Sequence, residues 1–566
     1  MIEAWSAAGV RAAEKPLLAA DVPLMERASF ALATIVARDL ATARSVVGPD
    51  GGRRDGRVTG ARVALLVGSG NNGGDALHAG AYLARRGVQV TAVLAGDRPH
   101  AGGLAALRRA GGTTLSLTED VAAPGRGTGD LGSATDRAVD AVLRADAVLD
   151  GLVGIGAVGP LRGVARDLVE RLARALGRAG TRPVVVAVDT PSGIGVDDGT
   201  VPGVVLPADR TVTFGAAKPG LLVPPATHLA GRGAVVDLGL DLPPAGGASG
   251  DAAGPAVRRL EREDVAALWS VPGPADHKYT RGVLGVVAGT STYPGAAVLV
   301  SSAAVRTGPG MVRYAGPDDV TRAVLAAHPE VVPGEGRVQA WSLGSGVPAA
   351  PGPQEDPVDD GGQHDRVRAA LAEATARVGD ERDGDADRPY GDVGARGGRP
   401  GVAAVVDAGA LSLLPERCPP SVVLTPHAGE LATLLGARDE EVTRADVEAA
   451  PLRWARRAHE LTGATVLLKG SATLVVGPGV VYAQADAPPW LATAGAGDVL
   501  SGVLGVLLAT HAERVLAEPG AAAELGAAAA LVHGLAAERA NPGGPVAALD
   551  VAEQVPRVVA ELLAAR

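Results

Sequence analysis

Short apolar runs alternate along this chain with segments whose apolar positions recur every three to four residues, so strands and helices are predicted to follow one another almost throughout. In the first half, Arg62–Val67, Val88–Leu94, Ala147–Leu149, Val184–Val188 and Thr211–Phe214 read as strands, and Leu24–Ala37, Ala76–Arg86 and Leu168–Arg178 as helices. The second half repeats the style. Strands are predicted at Val283–Ala288, Val312–Ala315, Ala403–Val406, Val422–Leu424 and Thr465–Leu468. Helices are predicted at Ala296–Thr307, Gly429–Leu435, Pro451–Leu461, Val499–His511 and Ala521–Ala540. This alternation predicts the α/β class: two three-layer α/β/α domains, each a mainly parallel sheet covered by helices on both faces.

Breaks in the pattern set the boundaries. The Pro/Gly/Ala-rich stretch Asp241–Pro255 lacks periodicity and reads as a linker between a first domain (1–240) and a second (256–566). The polar, low-complexity stretch 347–400 surrounds one short helical run and reads as a solvated, largely mobile insertion. A second insertion is expected at about Glu119–Asp136.

Composition narrows the classes. With 566 residues, 47% of them apolar, the chain can bury more than one core, but aromatics make up only 2%, so Ala, Val and Leu must fill it. A net charge of −10 with no basic block argues against a nucleic-acid partner. The single Cys418 rules out an internal disulfide framework and suits a reducing, cytoplasmic setting. Neither a signal peptide nor a membrane-spanning run is evident. There is no Cys/His cluster for zinc, no G-x-S-x-G elbow and no Walker loop.

The chemistry concentrates at predicted strand ends. Thr493-Ala-Gly-Ala-Gly-Asp-Val-Leu-Ser-Gly502 leads three small residues into Asp498 and an apolar helix. Such a loop leaves the first helical N–H groups bare for an anion, and Asp498 at the helix mouth could take an alcohol proton during phosphoryl transfer. The bland alternative is a first-turn Asp favouring the helix dipole. In the first half, Gly68-Ser-Gly-Asn-Asn-Gly-Gly-Asp75 follows a strand and formally satisfies G-x-G-x-x-G, but the acid expected at the end of the next strand is missing. Asn71, Asn72 and Asp75 there offer oxygen ligands and amide donors, or simply a helix cap. Asp150 precedes the Gly-rich loop Gly151–Pro160, and Asp189 and Ser192 end another strand. Each could form a turn, but three such ends in one parallel sheet point to a shared site. His427 and Glu430 follow the strand Val422–Leu424, and Lys469 follows Thr465–Leu468. Each reads either as a ligand contact or as a capping or solvated loop residue.

In their order along the chain these motifs resemble the bifunctional NAD(P)H-hydrate repair enzymes, from Leu24-Met-Glu-Arg-Ala28 to the C-terminal end. Asn71–Asp75, Asp150 with Gly154–Pro160, Val188-Asp-Thr-Pro-Ser-Gly193 and Phe214-Gly-Ala-Ala-Lys-Pro-Gly220 match the epimerase pattern. Gly289-Thr-Ser-Thr-Tyr-Pro-Gly-Ala296, His328-Pro-Glu330, Asp407-Ala-Gly-Ala-Leu411, Thr425–Glu430, Lys469–Thr473 and Thr493–Gly502 match the dehydratase pattern. The resemblance implies a Rossmann-like epimerase domain and a ribokinase-like, ADP-dependent dehydratase. For the first it implies a potassium ion at Asn72, Asp150 and Ser192, and hydrate contacts from Asn71, Asn72, Gly73, Gly74, Asp75, Gly154, Ile155, Gly156, Ala157, Val158, Gly159, Pro160 and Asp189, with Asp150 as a catalytic group. For the second it implies nucleotide contacts from Lys469, Gly470, Ser471, Ala472, Thr473 and Gly497. Ala297, Gly346, His427 and Asp498 are then expected at the S-hydrate, with Asp498 catalytic and magnesium accompanying ADP. Hydrated NADH and NADPH are the expected substrates, and a homo-oligomer is expected. Four positions depart from the family pattern: Ala76 and Gly409 replace Gly and Asp, Gly195 stands for an Asp, and Leu343-Gly-Ser-Gly-Val347 replaces a Gly-Pro-Gly-Leu-Gly loop. A sugar or vitamin kinase and a non-catalytic nucleotide sensor are the competing readings.

Overall fold

The computed structural model describes residues 1–47, 53–117, 129–243, 254–351, 358–376 and 401–566. The chain divides into two compact units, Glu3–Val257 and Arg258–Arg566 with Met1–Ile2.

The first unit is built on a seven-stranded sheet. Its strands are β1 (Arg62–Val67), β2 (Gln89–Leu94), β3 (Thr113–Ser116), β4 (Ala147–Gly151), β5 (Val184–Val188), β6 (Arg210–Phe214) and β7 (Arg232–Val236). They lie in the order β7-β6-β5-β4-β1-β2-β3, all parallel. Side chains of β1 alternate between two cores: Val63, Leu65 and Val67 face one, Ala64 and Leu66 the other. The first core is covered by α1 (Leu24–Ala43) and α2 (Asn71–Arg85), the second by α3 (Gly163–Leu176). This is the Rossmann-like arrangement. The strand order reverses between β1 and β4, and a parallel sheet opens a crevice there, beyond the carboxyl ends of its strands.

The second unit repeats the plan with β8 (Val283–Val287), β9 (Met311–Tyr314), β10 (Val332–Pro333), β11 (Ala340–Leu343), β12 (Ala403–Val406), β13 (Val422–Leu424) and β14 (Thr465–Leu468), followed by the hairpin strands β15 (Thr473–Gly477) and β16 (Val480–Gln484). The order is β16-β15-β14-β13-β12-β11-β8-β9-β10, and only the β14–β15 and β15–β16 pairs are antiparallel. One face carries α4 (Pro294–Thr307), α5 (Ala496–Thr510), α6 (Ala521–Ala540) and α7 (Ala548–Ala564). Small residues dominate that core, as the scarcity of aromatics requires: α6 alone buries Ala521, Ala522, Ala523, Ala527, Ala528 and Ala529. Here the order reverses between β8 and β11.

Within 347–400 the helical run is not solvated: Gln363–Thr375 is a helix that buries Gln363, Val367, Ala370, Leu371 and Ala374. Gln363 donates to the carbonyls of Ala288 and Gly289 at 3.0 and 2.7 Å and so anchors the segment to the end of β8. Residues 352–357 and 377–400 of that stretch, 118–128 of the shorter insertion and 244–253 of the linker lie outside the described residues.

Candidate active sites

In the first unit, β6, β5, β4 and β1 are consecutive neighbours, so the residues just beyond their carboxyl ends gather at one sheet edge. Gly68–Gly70 turn the chain from β1 into α2, whose first turn holds Asn71 and Asn72. Asn72 is buried and its amide donates to the Val153 carbonyl at 2.9 Å. Asp150 lies within β4 and has no exposed surface. One of its oxygens accepts from the Ser192 hydroxyl (2.7 Å) and the Leu152 amide (3.3 Å), the other from the Ser192 amide (2.9 Å). Burial pushes its carboxyl up, against those bonds. So enclosed, Asp150 holds the loop Leu152–Val153 to Ser192. The loop is exposed over Gly156–Pro160, while Gly154 is half-buried against Asn72 and Ile155 packs on Trp5, Val10 and Ala216.

Asp189 sits directly after β5 in a left-handed backbone conformation (φ 65°), which is strained for a residue with a Cβ. Its Oδ1 accepts from Lys218 Nζ at 2.5 Å, Thr213 Oγ1 at 2.9 Å and the Phe214 amide at 3.2 Å. Lys218 is 1% exposed, and its ammonium also donates to Thr213 Oγ1 and the Phe214 carbonyl at 2.9 and 2.8 Å. A buried ammonium needs such saturation. Asp75, on α2, lies within electrostatic reach of this pair. Burial, followed by the Asp189 charge, pushes its carboxyl up to about 8. Burial also raises Glu14 beside them.

In the second unit the ends of β8, β11, β12, β13 and β14 meet in the same way. Asp407 follows β12 and is wholly enclosed. Its Oδ1 accepts from Lys469 Nζ (2.7 Å) and Thr425 Oγ1 (2.9 Å), its Oδ2 from Ser345 Oγ (3.1 Å) and Ser501 Oγ (3.2 Å). Burial opposes its charge, but Lys469 and these donors outweigh burial and hold the carboxyl below its ordinary range. Lys469 begins the hairpin turn between β14 and β15, yet its side chain is turned inward to Asp407 rather than solvated.

The loop Thr493–Gly497 crosses above this pair. Gly495 takes φ 86° to start α5, a conformation that Gly accepts without strain. A Cβ on Gly497 would stand 3.4 Å from Lys469 Nζ, so the bare backbone passes directly over the ammonium. Asp498, half-buried in the first turn of α5, bonds to Ser345; burial and then the Asp407 charge push it up to about 7. His533, on α6, backs the loop through a hydrogen bond with the Ala496 backbone, and burial pushes its imidazole down to about 4, so it stays neutral. Just ahead of the loop, Trp490 is 50% exposed, its indole N–H donating to the Gly543 carbonyl at 3.2 Å.

Of the other expected contacts, His427 caps the helix Ala428–Gly436: its Nδ1 accepts from the Gly429 and Glu430 amides at 3.0 and 3.2 Å. Its ring stays exposed beside Lys469, which pairs with it across an isolated bridge. Gly346 adjoins Gly289 and Ala296, whereas Ala297 is fully buried and could offer only backbone. Gly470 and Ser471 are exposed in the hairpin, and Ala472 is buried. Lys218, Asp407 and Ser345 lie within the sequence motifs, but sequence reasoning assigns them no role. The available signal was a charged or hydroxyl residue immediately beyond a buried strand. A cavity of about 620 Å³ lined by Arg262, Glu538, Arg539, Arg557 and Glu561 on the outer helices holds none of these groups. Among the described residues, no group of three or more His, Cys, Asp or Glu is placed to hold a metal, and no helix is long and apolar enough to cross a membrane.

Two doubly wound units, each with polar groups gathered beyond the carboxyl ends of its strands, define an α/β enzyme with two small-molecule sites. Comparison with known proteins agrees. Residues 20–220 match the family model described as YjeF-related protein N-terminus, and 398–557 match NAD(P)H-hydrate dehydratase. The bifunctional NAD(P)H-hydrate repair enzyme Nnr of Mycobacterium tuberculosis strain H37Rv is 41% identical over 524 residues, covering 89% of each chain. The NAD(P)H-hydrate epimerase of Clavibacter sepedonicus is 43% identical over 244 residues, 42% of this chain and 92% of its own. A Bacillus subtilis ADP/ATP-dependent NAD(P)H-hydrate dehydratase, co-crystallised with ATP/Mg2+, is 23% identical and covers 54% of this chain and 98% of its own, with a TM-score of 0.42. The chain belongs to the bifunctional NAD(P)H-hydrate repair enzymes. It is an NAD(P)H-hydrate epimerase and dehydratase.

Proposed function

We propose that the second unit dehydrates the S-hydrate by phosphorylating its ring hydroxyl from ADP and eliminating phosphate. Asp498 removes the hydroxyl proton as the oxygen attacks the terminal phosphorus and AMP departs. Bare amides of Gly495–Gly497 and the Lys469 ammonium face the charge carried by the phosphoryl group. Phosphate then leaves far more readily than hydroxide would, and loss of a neighbouring carbon-bound proton restores the dihydropyridine. Magnesium would neutralise phosphate charge; with carboxylates so dispersed it would be held chiefly by the nucleotide, with Asp498 and Glu430 nearest on the protein side. The observation that carries this reading is Asp498, half-buried at the mouth of α5 directly beside the Lys469–Asp407 pair.

The first unit interconverts the R and S hydrates, so the second can consume both. Asn72, Asp150, Ser192 and the Val153 carbonyl are tied together there by hydrogen bonds, and their oxygens are a donor set that suits potassium, which would fix the hydrate-binding loop. A reducing, cytoplasmic setting suits the buried thiol of Cys418, the chain's one cysteine.

The test is a coupled assay on mixed R/S hydrate with ADP, ATP or neither. Asp498→Asn is expected to lower ADP-dependent NADH recovery from the S form by about 10²–10⁴-fold while R/S exchange continues. Equal loss of both activities, or a stable phosphorylated product in the wild type, would overturn this reading.

A further inference from the structure

Hydration of a dihydropyridine enamine leaves the hydroxyl on the carbon bonded to the ring nitrogen, because the β carbon takes the proton and the iminium carbon takes water. The substrate of the first unit is therefore a hemiaminal. Its stereocentre inverts if the carbon–nitrogen bond opens and recloses. That demands one group to take the hydroxyl proton and another to give a proton to nitrogen, while Asp150 is engaged with Ser192 and the Leu152 amide.

The sheet edge supplies such a pair. All hydrogen bonds to the Asp189 side chain fall on Oδ1, from Lys218, Thr213 and Phe214, and none among the described residues falls on Oδ2. One edge of the carboxylate is clamped and the other left to act. Asp75 shows the opposite state. The Ser29 hydroxyl lies 2.6 Å from the Met25 carbonyl and 3.3 Å from Asp75 Oδ1. Ser29 donates chiefly to the nearer carbonyl and only at long range to Asp75, so it supports an Asp75 carboxylate far less than Lys218, Thr213 and Phe214 support that of Asp189. Glu14 on Ala7–Ala19, Ser29 on α1, Asp189 and Lys218 are the charged and hydroxyl groups that act on Asp75, and the like charge of Asp189 opposes its ionisation. Two carboxyl groups with settings this different are poised for opposite roles.

We propose that Asp189 is the base and Asp75 the acid of the epimerisation, with Lys218 a positioning residue that fixes the Asp189 carboxylate edge. Asp189 Oδ2 takes the hydroxyl proton, and the C–O bond becomes a carbonyl. The C–N bond breaks with its electron pair going to nitrogen, which receives the Asp75 proton. Rotation about the adjoining C–C bond presents the other aldehyde face. The nitrogen attacks it, its proton returns to Asp75, and Asp189 returns its proton to oxygen. No atom or electron is gained or lost overall. This assignment rests on the first unit being the epimerase.

The experiment uses the full chain and follows R-to-S conversion by separating the two hydrates. Asp75→Asn and Asp189→Asn should each lower kcat by about 10²–10⁴-fold. Wild-type activity should decline as pH rises past about 8, where Asp75 loses its proton; Thr213→Val, which loosens the clamp, should lower kcat several-fold with little change in KM. In H₂¹⁸O, the inverted product should mostly keep its original oxygen. A folded Asp75→Asn protein that retains more than a third of the wild-type rate overturns the proposal, even should Asp189→Asn fail to fold, and so does solvent oxygen in most inverted molecules. A wild type with no R-to-S conversion would instead remove the epimerase reading beneath it.

Discussion

Asp498 is held in its protonated form up to about pH 7 by burial and by the nearby Asp407 carboxylate. A base must be ionised to act, so dehydration should rise about tenfold per pH unit below that point and level off above it, which kcat/KM against pH will show. Asp75 has the same kind of shift with a different consequence. The folded chain keeps its proton to about pH 8, whereas an unfolded Asp releases it near ~3.9. Between these values the unfolded chain binds fewer protons, so this group's contribution to stability falls as pH rises through the window. Asp75→Asn removes that penalty. Its melting temperature should exceed the wild type's at pH 8 by roughly 4 °C or more and converge with it near pH 4, as calorimetry can check. None of these shifts was legible in the sequence. That a carboxylate stands at a strand end follows from local pattern; which carboxylates are enclosed, paired or left open depends on partners far along the chain, such as Lys469 for Asp407.

Elements were the most readable level. Arg62–Val67, Val184–Val188, Ala403–Val406, Val422–Leu424, Thr465–Leu468 and Ala521–Ala540 have the bounds the apolar pattern predicts. The start of α5 was predicted at Val499 but lies at Ala496, because the glycine turn itself supplies the first helical residues. The start of α2 moves in the same way, from Ala76 to Asn71. Polar and glycine residues hide a helix start because they interrupt the apolar periodicity that marks one. Two substitutions probe these elements. Gly495→Ala places a Cβ 2.5 Å from Leu299 Cδ1 at φ 86° and should cost about 1–2 kcal/mol in backbone strain alone, read as a lower melting temperature and weaker nucleotide binding. Gly409→Asp restores the family's usual acid but sets its Cβ 2.2 Å from the Val347 carbonyl oxygen. It should destabilise the protein and gain no activity, which a thermal melt and the dehydration assay decide. The departure at Gly409 therefore belongs to the local path of the loop that carries Ser345.

Each unit has its own core and polar site. The R-hydrate should thus be converted to NADH by a mixture of two singly inactivated proteins, Asp498→Asn and Asp75→Asn, because the S-hydrate made by one can diffuse to the other. Failure of the mixture, with each variant folded and retaining its other activity, would mean that the sites work only within one chain. The division into two α/β units was visible in strand–helix alternation. The anchoring of Gln363–Thr375 was not, because its low-complexity surroundings conceal the residues it buries.

The poverty of aromatic side chains has a practical consequence. Trp5, Trp269 and Trp341 are buried and Trp454 is half-buried beneath Arg453, while Trp490 stands half in water a few residues before the glycine turn. Ultraviolet emission from this chain therefore carries an environment-sensitive signal from Trp490, beside the glycine turn that is proposed to cradle the nucleotide. Adding ADP should shift its wavelength or intensity, giving a label-free titration of occupancy in which Trp490→Phe serves as the silent control.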